Sequence, residues 1–334
     1  MTGPKIAFAM LDGLIGHTFT PAQIERIGAV GEIIDPKPLG SFDEDRAAAV
    51  LAETEVLIGH WGCPTLTPEV VALAPELRLF AYAAGTVKWQ VTDAVWARDI
   101  VVTSAAAANA VPVAEYTVAM VLLANKGVLL FREWLRDPTA KVPLDPSAVG
   151  NYRRRVGVIG ASMVGRRVIE LLAPYDLDVV VYDPYLTADE AERLGAEKVE
   201  HLDDLCASVD ILSLHAPDVD ATRGMIGAAQ LAALRDGATF LNTARPALVD
   251  TAALEAELVS GRIAGILDVT DPDPLPNGHP LLALPNVFVT PHVAGAMGNE
   301  LHRLAELAVV EVERHARGEE PLHPVRREDL DRIA

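Results

Sequence analysis

Cysteine is scarce in this chain of 334 residues, with Cys63 and Cys206 as its only two examples. They lie far apart, so neither a CxxC redox pair nor a cysteine zinc site can be formed from them. The rest of the sequence shows no spacing typical of metal ligands. Two isolated thiols fit a reducing compartment, and we therefore expect a cytoplasmic protein that holds no metal.

Positive charge is scarce as well: 28 Lys and Arg residues stand against 47 Asp and Glu residues, for a formal net charge of -19. The sequence pI is about 4.8. Such a chain repels polyanions at long range, which argues against nucleic acid and anionic membranes as partners. An anionic cofactor or substrate must then be bound locally, by helix N-termini and a few Arg or Lys side chains.

Uninterrupted apolar runs are also missing. The most apolar stretch, residues 111–131, contains Glu115, Asn125 and Lys126, which a membrane-spanning helix rarely tolerates. The first ten residues hold too short an apolar run for a signal peptide. The pattern at 111–131 predicts a buried helix, packed either in a core or at a subunit or domain interface.

Two series of short apolar runs alternate with helical, polar-rich stretches, which is typical of parallel sheets with crossover helices. Half of the residues are hydrophobic, and the length suits two domains. The first series predicts strands at residues 6–10, 56–60, 77–83 and 100–103. The second predicts six strands, as a complete dinucleotide-binding fold requires, at residues 156–159, 179–182, 211–215, 239–242, 263–269 and 287–290.

Three further segments complete this organisation. Residues 104–108 are small and predict a hinge, and residues 138–151 are rich in Pro and polar side chains and predict a loop or arm. One amphipathic helix, at about residues 299–317, occupies the C-terminal region. Because one helix cannot form a third domain, we expect it to pack on the first.

A glycine-rich turn joins the first strand of the second series to a helix. Gly160 is placed to make the tight turn and Gly165 to let helix and strand approach, while Met163 and Val164 begin a helix whose N-terminus faces a pyrophosphate. Ser162 replaces the middle glycine of the usual pattern, so its hydroxyl either loosens the fit or supplements it. Because glycine turns between strands and helices are common, this motif alone is weak.

Asp183 supports the same interpretation. It ends the next strand, about twenty residues after the glycine turn, where a carboxylate accepts hydrogen bonds from the adenosine ribose hydroxyls. Its charge would repel the 2'-phosphate of NADP, and Pro184 and Tyr185 supply no cation to replace it. The alternative is a carboxylate that caps a helix or closes a turn.

Three later stretches place polar side chains at the ends of predicted strands. Arg245 follows the strand at 239–242, a cluster of aspartates follows from residue 268, and His292 follows the strand at 287–290. In an open parallel sheet, this carboxyl edge is where ligands and reacting groups collect. Taken singly, Arg245 could be a surface ion-pair residue and His292 a helix cap.

Together with the glycine turn and with residues 109–117, 214–217 and 318–325, these stretches resemble the D-isomer-specific 2-hydroxyacid dehydrogenases, a family that includes phosphoglycerate, glycerate and formate dehydrogenases. The resemblance covers about residues 77–326. It implies an α/β fold in which a Rossmann, doubly wound parallel-sheet NAD domain (104–293) is inserted into a smaller flavodoxin-like substrate domain (1–103 and 294–334). It also implies a homodimer built around the helix at 111–131 and the arm that follows.

The reaction of that family needs a cation for the substrate and a carrier for a proton. Arg245 would bind the substrate carboxylate with its planar fork and polarise the carbonyl. His292 would act as general acid in reduction and as base in oxidation, with a neighbouring carboxylate that orients its ring and favours the imidazolium. The resemblance assigns that carboxylate to Asp273, where the family usually has the longer Glu, with Asp271 as the alternative.

NAD is the cofactor that the resemblance implies. Asp268 would bind the nicotinamide carboxamide, and Thr243 lies where the family's backbone does the same. The residues expected to line the NAD site are Gly160, Ser162, Met163, Val164, Gly165, Asp183, His215, Ala216, Pro217, Thr243, Asp268 and His292.

Two segments depart from the family pattern. Pro246 replaces the Gly that usually follows the catalytic Arg, and proline favours an extended predecessor. The expected substrate-binding loop lacks the family's usual Gly and Asp-Asn; its members are Gly85, Thr86, Val87 and Lys88. Lys88 would receive a second anionic group or lie solvated on the surface, and Trp61 would form a pocket wall or belong to the core.

The sequence therefore predicts an NAD-dependent oxidoreductase that transfers a hydride between nicotinamide and a small anionic 2-hydroxy or 2-keto acid. One alternative is an oxidoreductase of the same fold that acts on another small oxyanion, of the formate, phosphite or phosphonate type. Another is an NAD(H)-sensing binding protein similar to the family's corepressor relatives. Turnover of 2-keto acids separates the three hypotheses.

Overall fold

The computed structural model of the chain describes residues 3–139, 145 and 148–330. The loop or arm predicted at 138–151 therefore lies partly outside the described residues. Within the described part, the strands are β1 (Lys5–Ala9), β2 (Glu32–Ile33), β3 (Val56–Gly59), β4 (Leu79–Tyr82), β5 (Val101–Ser104), β6 (Arg155–Ile159), β7 (Asp178–Tyr182), β8 (Glu197–Lys198), β9 (Ile211–Leu214), β10 (Thr239–Asn242), β11 (Ala264–Leu267) and β12 (Val287–Val289).

The α-helices of the same residues connect and flank these strands. They are α1 (Ile15–Thr18), α2 (Pro21–Val30), α3 (Asp45–Glu53), α4 (Pro68–Leu73), α5 (Asp93–Trp96), α6 (Ala106–Asn125), α7 (Val128–Arg136), α8 (Met163–Leu172), α9 (Ala188–Leu194), α10 (Leu202–Ser208), α11 (Ala228–Ala233), α12 (Thr251–Ser260) and α13 (Leu301–Ala316). Short 3₁₀ turns add Pro246–Leu248, Pro280–Ala283, Gly298–Glu300 and Arg327–Asp329.

The chain divides into two compact units. Unit 1 comprises Met1–Asn109 and Ala296–Ala334, and unit 2 comprises Ala110–Gly295. The first crossing between the units falls inside α6, and the second falls after β12. Each unit contains its own sheet and its own hydrophobic cores.

Unit 1 contains a five-stranded parallel sheet in the order β2-β1-β3-β4-β5, which is the flavodoxin-like order. Alternate side chains of β1 face opposite cores: Ile6 and Phe8 pack with Val309 of α13, whereas Ala7 packs in the other core. The C-terminal helix thus packs on the first sheet, as predicted. The sequence pattern missed β2, because an edge strand of two residues is too short to show a periodicity.

Unit 2 contains a seven-stranded parallel sheet in the order β12-β11-β10-β9-β6-β7-β8. All six predicted strands are present, and β8 is a short addition at one edge. The chain order reverses between β6 and β9, and ligands of open α/β sheets bind at such a switch point, outside the carboxyl ends of the strands. The predicted fold class, with a doubly wound Rossmann sheet and a smaller flavodoxin-like sheet, is confirmed.

The apolar helix differs from the single helix predicted at 111–131. Helix α6 begins at Ala106, because the small residues that predicted a hinge are mostly alanine, the strongest helix former. It ends at Asn125, and Gly127 separates it from α7 with a left-handed backbone of φ 63°. By length and a mean hydropathy of 1.5, α6 meets the criteria for a membrane span. Its residues Ala114, Val118 and Val121 instead pack in a core of unit 2, as predicted for a buried helix.

Candidate nucleotide and active site

The turn between β6 and α8 depends on two glycines. Gly160 has φ of 89°, and a Cβ there would lie 2.7 Å from the backbone nitrogen of Ala216. A Cβ on Gly165 would clash with the carbonyl oxygen of Gly160. Because neither residue has a side chain, the glycine turn can lie against the loop after β9, and the first turn of α8 can lie against the glycine turn. The N–H groups of Met163 and Val164 in the first turn of α8 have no intrahelical partner and are free to bind an anion.

Ser162 caps α8 from the position of the missing middle glycine. Its Oγ accepts a hydrogen bond from the N–H of Gly165 at 3.4 Å and donates one to the carbonyl oxygen of His215 at 2.8 Å. Its φ of -69° is accessible to any residue, so the absence of glycine causes no backbone strain. The hydroxyl links the glycine turn to the loop after β9.

Asp183 directly follows β7 and is bound to the same turn. One carboxylate oxygen accepts the N–H of Ala161 at 2.7 Å, and the other accepts the N–H of Tyr185 at 2.8 Å. The carboxylate therefore has the turn-closing role that was the alternative interpretation. Each oxygen of a carboxylate accepts more than one hydrogen bond, so this role leaves capacity for a ribose hydroxyl.

The loop after β9 places backbone, and not the His215 ring, beside the glycine turn. The ring is buried, its Nε2 lies 2.8 Å from Ser213 Oγ, and burial lowers the pKa of His215 to about 3. Ala216 contacts Gly160, and the carbonyl of Pro217 accepts a hydrogen bond from Thr222. Of His215, only the backbone lies beside the glycine turn. The predicted contact of this residue with the cofactor is therefore limited to its backbone.

Arg245 lies directly after β10 in an extended conformation, with φ of -146° and ψ of 145°. This is the geometry that the following Pro246 favours, so the proline fits the backbone observed here. Among the described residues, the guanidinium forms no ion pair within 4.0 Å, and its Nη1 donates to the carbonyl of Ala244 at 2.6 Å. Burial lowers the pKa of Arg245 below the ordinary arginine value, while the charges of Asp218 and Asp273 act in the opposite direction.

His292 lies after β12 on a left-handed backbone, with φ of 57°. Its Nδ1 is 2.7 Å from an oxygen of Asp273, and its N–H donates to the carbonyl of Asp268 at 2.9 Å. The ring is half exposed, which leaves Nε2 accessible. Of the two aspartates considered from the sequence, Asp273 is the one that the structure brings to the imidazole, despite its shorter side chain.

Asp268 is buried, and both of its carboxylate oxygens accept hydrogen bonds within unit 2. Its carboxylate accepts hydrogen bonds from Thr290 Oγ1 at 2.6 Å and from the N–H groups of Val293 and Ala294 at 2.8 and 2.9 Å. These bonds surround His292 on both sides in sequence. The structure thus places Asp268 as a support of the His292 loop, in addition to any contact with a cofactor.

Two polar residues of α6 that the sequence reasoning did not single out reach the same loops. Tyr116 Oη lies 2.7 Å from Thr290 Oγ1, and the buried Thr117 Oγ1 lies 3.2 Å from Thr243 Oγ1. The side chain of Thr243 is therefore bound to α6 inside unit 2. Both residues belong to the 109–117 motif, but spacing along a helix does not reveal which loops it contacts.

The loop predicted to bind substrate lies in unit 1, after β4. Among the described residues, the N–H groups of Gly85, Thr86 and Val87 donate no hydrogen bond, whereas the N–H of Lys88 donates to Thr86 Oγ1 at 3.3 Å. Val87 is fully buried in a core of unit 1, so only its backbone can contact a ligand. The ring of Trp61 is exposed, which excludes the core alternative.

Residues 118–294 match the sequence model described as "D-isomer specific 2-hydroxyacid dehydrogenase, NAD binding domain". The chain belongs to this family. The chain is 33% identical over 284 residues to D-3-phosphoglycerate dehydrogenase of Mycobacterium tuberculosis (strain ATCC 25618 / H37Rv), a match that covers 85% of this chain and 52% of that protein. It therefore spans about half the length of the phosphoglycerate dehydrogenases that it resembles.

A second relative is closer to this chain in length. Glyoxylate reductase of Korarchaeum cryptofilum is 33% identical over 265 residues, which cover 78% of this chain and 79% of that protein. A crystal structure of a Thermus thermophilus protein matches 96% of this chain and 100% of that chain, with 28% identity and a TM-score of 0.76. The family membership predicted from the motifs is confirmed.

The residues of the matched NAD-binding domain fit this cofactor. Because Gly160 and Gly165 have no side chain, the glycine turn packs against the loop after β9 and α8 packs against the turn. The N-terminus of α8, where an anion can bind, therefore lies directly after this turn. Asp183 stands at the end of the adjacent strand. This combination at a switch point is the arrangement that a dinucleotide requires.

Proposed function

We propose that the chain is an NAD-dependent oxidoreductase that transfers a hydride between nicotinamide and a small anionic 2-hydroxy or 2-keto acid. One observation carries the proposal: Arg245, a largely buried cation without an ion-pair partner among the described residues, lies in the loop after β10, while the His292–Asp273 pair lies after β11 and β12 of the same sheet edge. The names of the relatives, D-3-phosphoglycerate dehydrogenase and glyoxylate reductase, agree with this substrate class.

Arg245 binds the substrate in this proposal. A buried cation without a fixed anion is costly in the free protein, and a carboxylate ligand removes that cost by forming two parallel N–H···O bonds with the guanidinium. The remaining N–H groups can polarise the neighbouring carbonyl oxygen. In unit 1, the consecutive N–H groups of Gly85, Thr86 and Val87 form a second group of anion donors, and we assign this loop, with Lys88, to the substrate as well.

His292 moves the proton. Asp273 accepts the hydrogen of Nδ1, which leaves Nε2 as the atom that donates a proton to the substrate oxygen in reduction and removes it in oxidation. The hydrogen bond to this carboxylate also fixes the orientation of the ring. His292 thus returns to the same neutral tautomer, with hydrogen on Nδ1, after each reduction.

When bound, NAD supplies or accepts the hydride. We assign its pyrophosphate to the first turn of α8 and to the backbone of the glycine turn. The adenosine ribose is assigned to Asp183, and the nicotinamide end to Asp268, Thr243 and the backbone of residues 215–217. In this assignment unit 2 is the dinucleotide-binding domain and unit 1 is the substrate-binding domain.

We also propose a cytoplasmic homodimer. Helix α7 buries none of its residues within the chain, and Trp134 and Leu135 are exposed by 47% and 76% of their surfaces. An apolar helix face of this kind usually binds a partner. Light scattering after size exclusion should give twice the chain mass of 35.7 kDa, and fractionation of the source cells should place the protein in the cytosol; a monomer or a membrane fraction would contradict the proposal.

The anion site is tested with Arg245→Ala. We expect this variant to lose turnover of 2-keto acids by at least about a hundredfold while its affinity for NADH stays nearly unchanged, because the guanidinium serves the substrate. Arg235→Ala is the matched control, because Arg235 is exposed and lies before the amino end of β10, the strand that Arg245 follows. Near-normal activity in Arg245→Ala would refute the assignment.

A further inference from the structure

Two consecutive side chains of α6 contact the two loops on which the proposed function rests. Tyr116 reaches Thr290, which lies two residues before His292, and Thr117 reaches Thr243, which lies two residues before Arg245. All of these residues belong to unit 2. The same helix turn is therefore attached to the proton-carrying loop and to the anion-binding loop.

A series of hydrogen bonds links Tyr116 to the backbone around His292. Thr290 Oγ1 donates its only hydrogen to Asp268 at 2.6 Å, so the hydroxyl of Tyr116 must be the donor in its own bond to Thr290. Asp268 then holds the N–H groups of Val293 and Ala294. The chain of bonds runs from the helix, through Thr290 and the carboxylate, to the residues that follow His292.

These hydrogen bonds lie around a residue, His292, that has an unusual backbone conformation. The left-handed conformation of His292 is unfavourable for a residue with a side chain and persists only where its surroundings fix it. Its N–H is bound to the carbonyl of Asp268. A shift of Asp268 would therefore change the position of the imidazole against Asp273 and the substrate.

The contact of Thr117 acts on the other loop. Thr117 and Thr243 are both buried, and their hydroxyls lie 3.2 Å apart. The loop after Thr243 is closed by Asn242, whose Oδ1 accepts the N–H of Ala244 and whose Nδ2 donates to the carbonyl of Arg245. Thr117 thus fixes the start of a short, rigid turn that ends at the guanidinium.

We propose that Tyr116 and Thr117 are a pair of positioning residues, of which Tyr116 aligns the acid/base His292 and Thr117 aligns the anion-binding Arg245. This inference rests on the proposed function for the roles of His292 and Arg245. Neither residue touches the reacting atoms. The two act on separate loops, so their removal should have separate kinetic effects.

Tyr116→Phe and Thr117→Val remove one hydroxyl each and keep the shape of the side chain. We expect Tyr116→Phe to lower kcat for a 2-keto acid about fivefold, equivalent to about 1 kcal/mol, with KM little changed, because the proton is needed only in the reaction step. We expect Thr117→Val to raise KM about fivefold with a smaller change in kcat, because it loosens the carboxylate site. Tyr175→Phe is a control for the loss of an exposed tyrosine hydroxyl, and Thr117→Ser should restore KM.

Hydrogen exchange of the cofactor-free protein gives a second measurement that does not depend on turnover. Tyr116→Phe should increase exchange at residues 290–294 and leave 243–248 unchanged, and Thr117→Val should do the reverse. Uniform changes in both loops, or kcat and KM effects that are the same in both variants, would overturn the inference. An unmodified chain that turns over no 2-keto acid would overturn the proposed function and the catalytic roles together, while the exchange pattern would still decide whether each residue fixes its own loop.

Discussion

At the scale of single residues, Asp183 should determine the choice between NAD and NADP. Its carboxylate would repel a 2'-phosphate, and the following Pro184 and Tyr185 supply no positive charge. We expect Asp183→Ala to shift the ratio of kcat/KM values for the two cofactors toward NADPH by at least about tenfold. Binding of NADH should also weaken, because the variant loses the hydrogen bond to Ala161.

The matched control for Asp183 is Asp178→Ala. Asp178 is an exposed aspartate at the opposite end of the same strand, so its loss changes the net charge equally without touching the glycine turn. Equal use of both cofactors by the unmodified protein would show that Asp183 does not discriminate between them.

His60 makes the stability of unit 1 depend on pH. Burial lowers the pKa of His60 from 6.5 to about 4, so the unfolded chain binds a proton below about pH 6.5 while the folded chain stays neutral. The free energy of unfolding should therefore fall as pH decreases from 6.5 to 4, by on the order of 2 kcal/mol from this residue. Urea titrations at pH 7 and pH 4.5 measure the difference when they are followed by tryptophan fluorescence in a Trp134→Phe background, where only Trp61, Trp89 and Trp96 of unit 1 emit.

In His60→Gln, the loss of stability between these pH values should be smaller by that amount, whatever the variant does to stability at pH 7. His17→Gln serves as the control, because His17 is exposed in the same unit. A loss of the same size in His60→Gln and in the unmodified chain would show that the buried histidine is not responsible.

The positions of polar side chains after the strands predicted which of them share a sheet edge, but did not predict most of their contacts. The positions of Arg245, Asp273 and His292 after consecutive strands indicated that they share one edge, and the structure brings His292 to Asp273. The engagement of Ser162 with the carbonyl of His215, and the burial of Val87, could not be predicted, because they depend on contacts between loops that are distant in sequence.

At the scale of elements, the approach of α8 to β6 depends on Gly165. A Cβ at this position would clash with the carbonyl of Gly160, and backbone atoms cannot move away as a flexible side chain can. We expect Gly165→Ala to lower the free energy of unfolding of unit 2 by about 1–3 kcal/mol and to weaken NADH binding, because α8 must shift away from the glycine turn. Thermal unfolding and NADH titration measure the two effects.

Gly227→Ala is the matched control in the same unit. Its added Cβ would lie 3.4 Å from the end of the flexible Gln230 side chain and 3.9 Å from the carbonyl oxygen of Gly224, which is ordinary van der Waals contact, and its φ of -100° is accessible to alanine. If Gly165→Ala were as stable and as tight for NADH as Gly227→Ala, the close approach would not be the reason for glycine at this position.

Strands were predicted more accurately than helix ends because the central strands are buried on both faces and consist mostly of apolar residues. The edge strands β2 and β8 have two residues each and leave no such pattern. The predicted helix at 111–131 missed the break at Gly127, because apolar residues continue on both sides of it. Composition indicates burial, but only the backbone shows where a helix stops.

At the scale of the whole molecule, the net charge of -19 makes local binding groups necessary for any anionic ligand. The structure supplies such groups as the N-terminus of α8, the unpaired guanidinium of Arg245 and the three free N–H groups after β4, all within the described part of the chain. The parallel arrangement of both sheets followed from the alternation of strands and helices, and their split organisation followed from the family resemblance. The chemical identity of the substrate does not follow from topology.

The most direct test of the proposed function is the consumption of NADH in the presence of a panel of small 2-keto acids whose side chains differ in size and charge. We expect loss of NADH absorbance with at least one of these acids, a preference for NADH over NADPH, and no loss with the same acid in Arg245→Ala. Formate and phosphite with NAD serve as the comparison in the opposite direction. Binding of NADH without reduction of any 2-keto acid, or reduction of NAD by formate or phosphite alone, would contradict the proposed function.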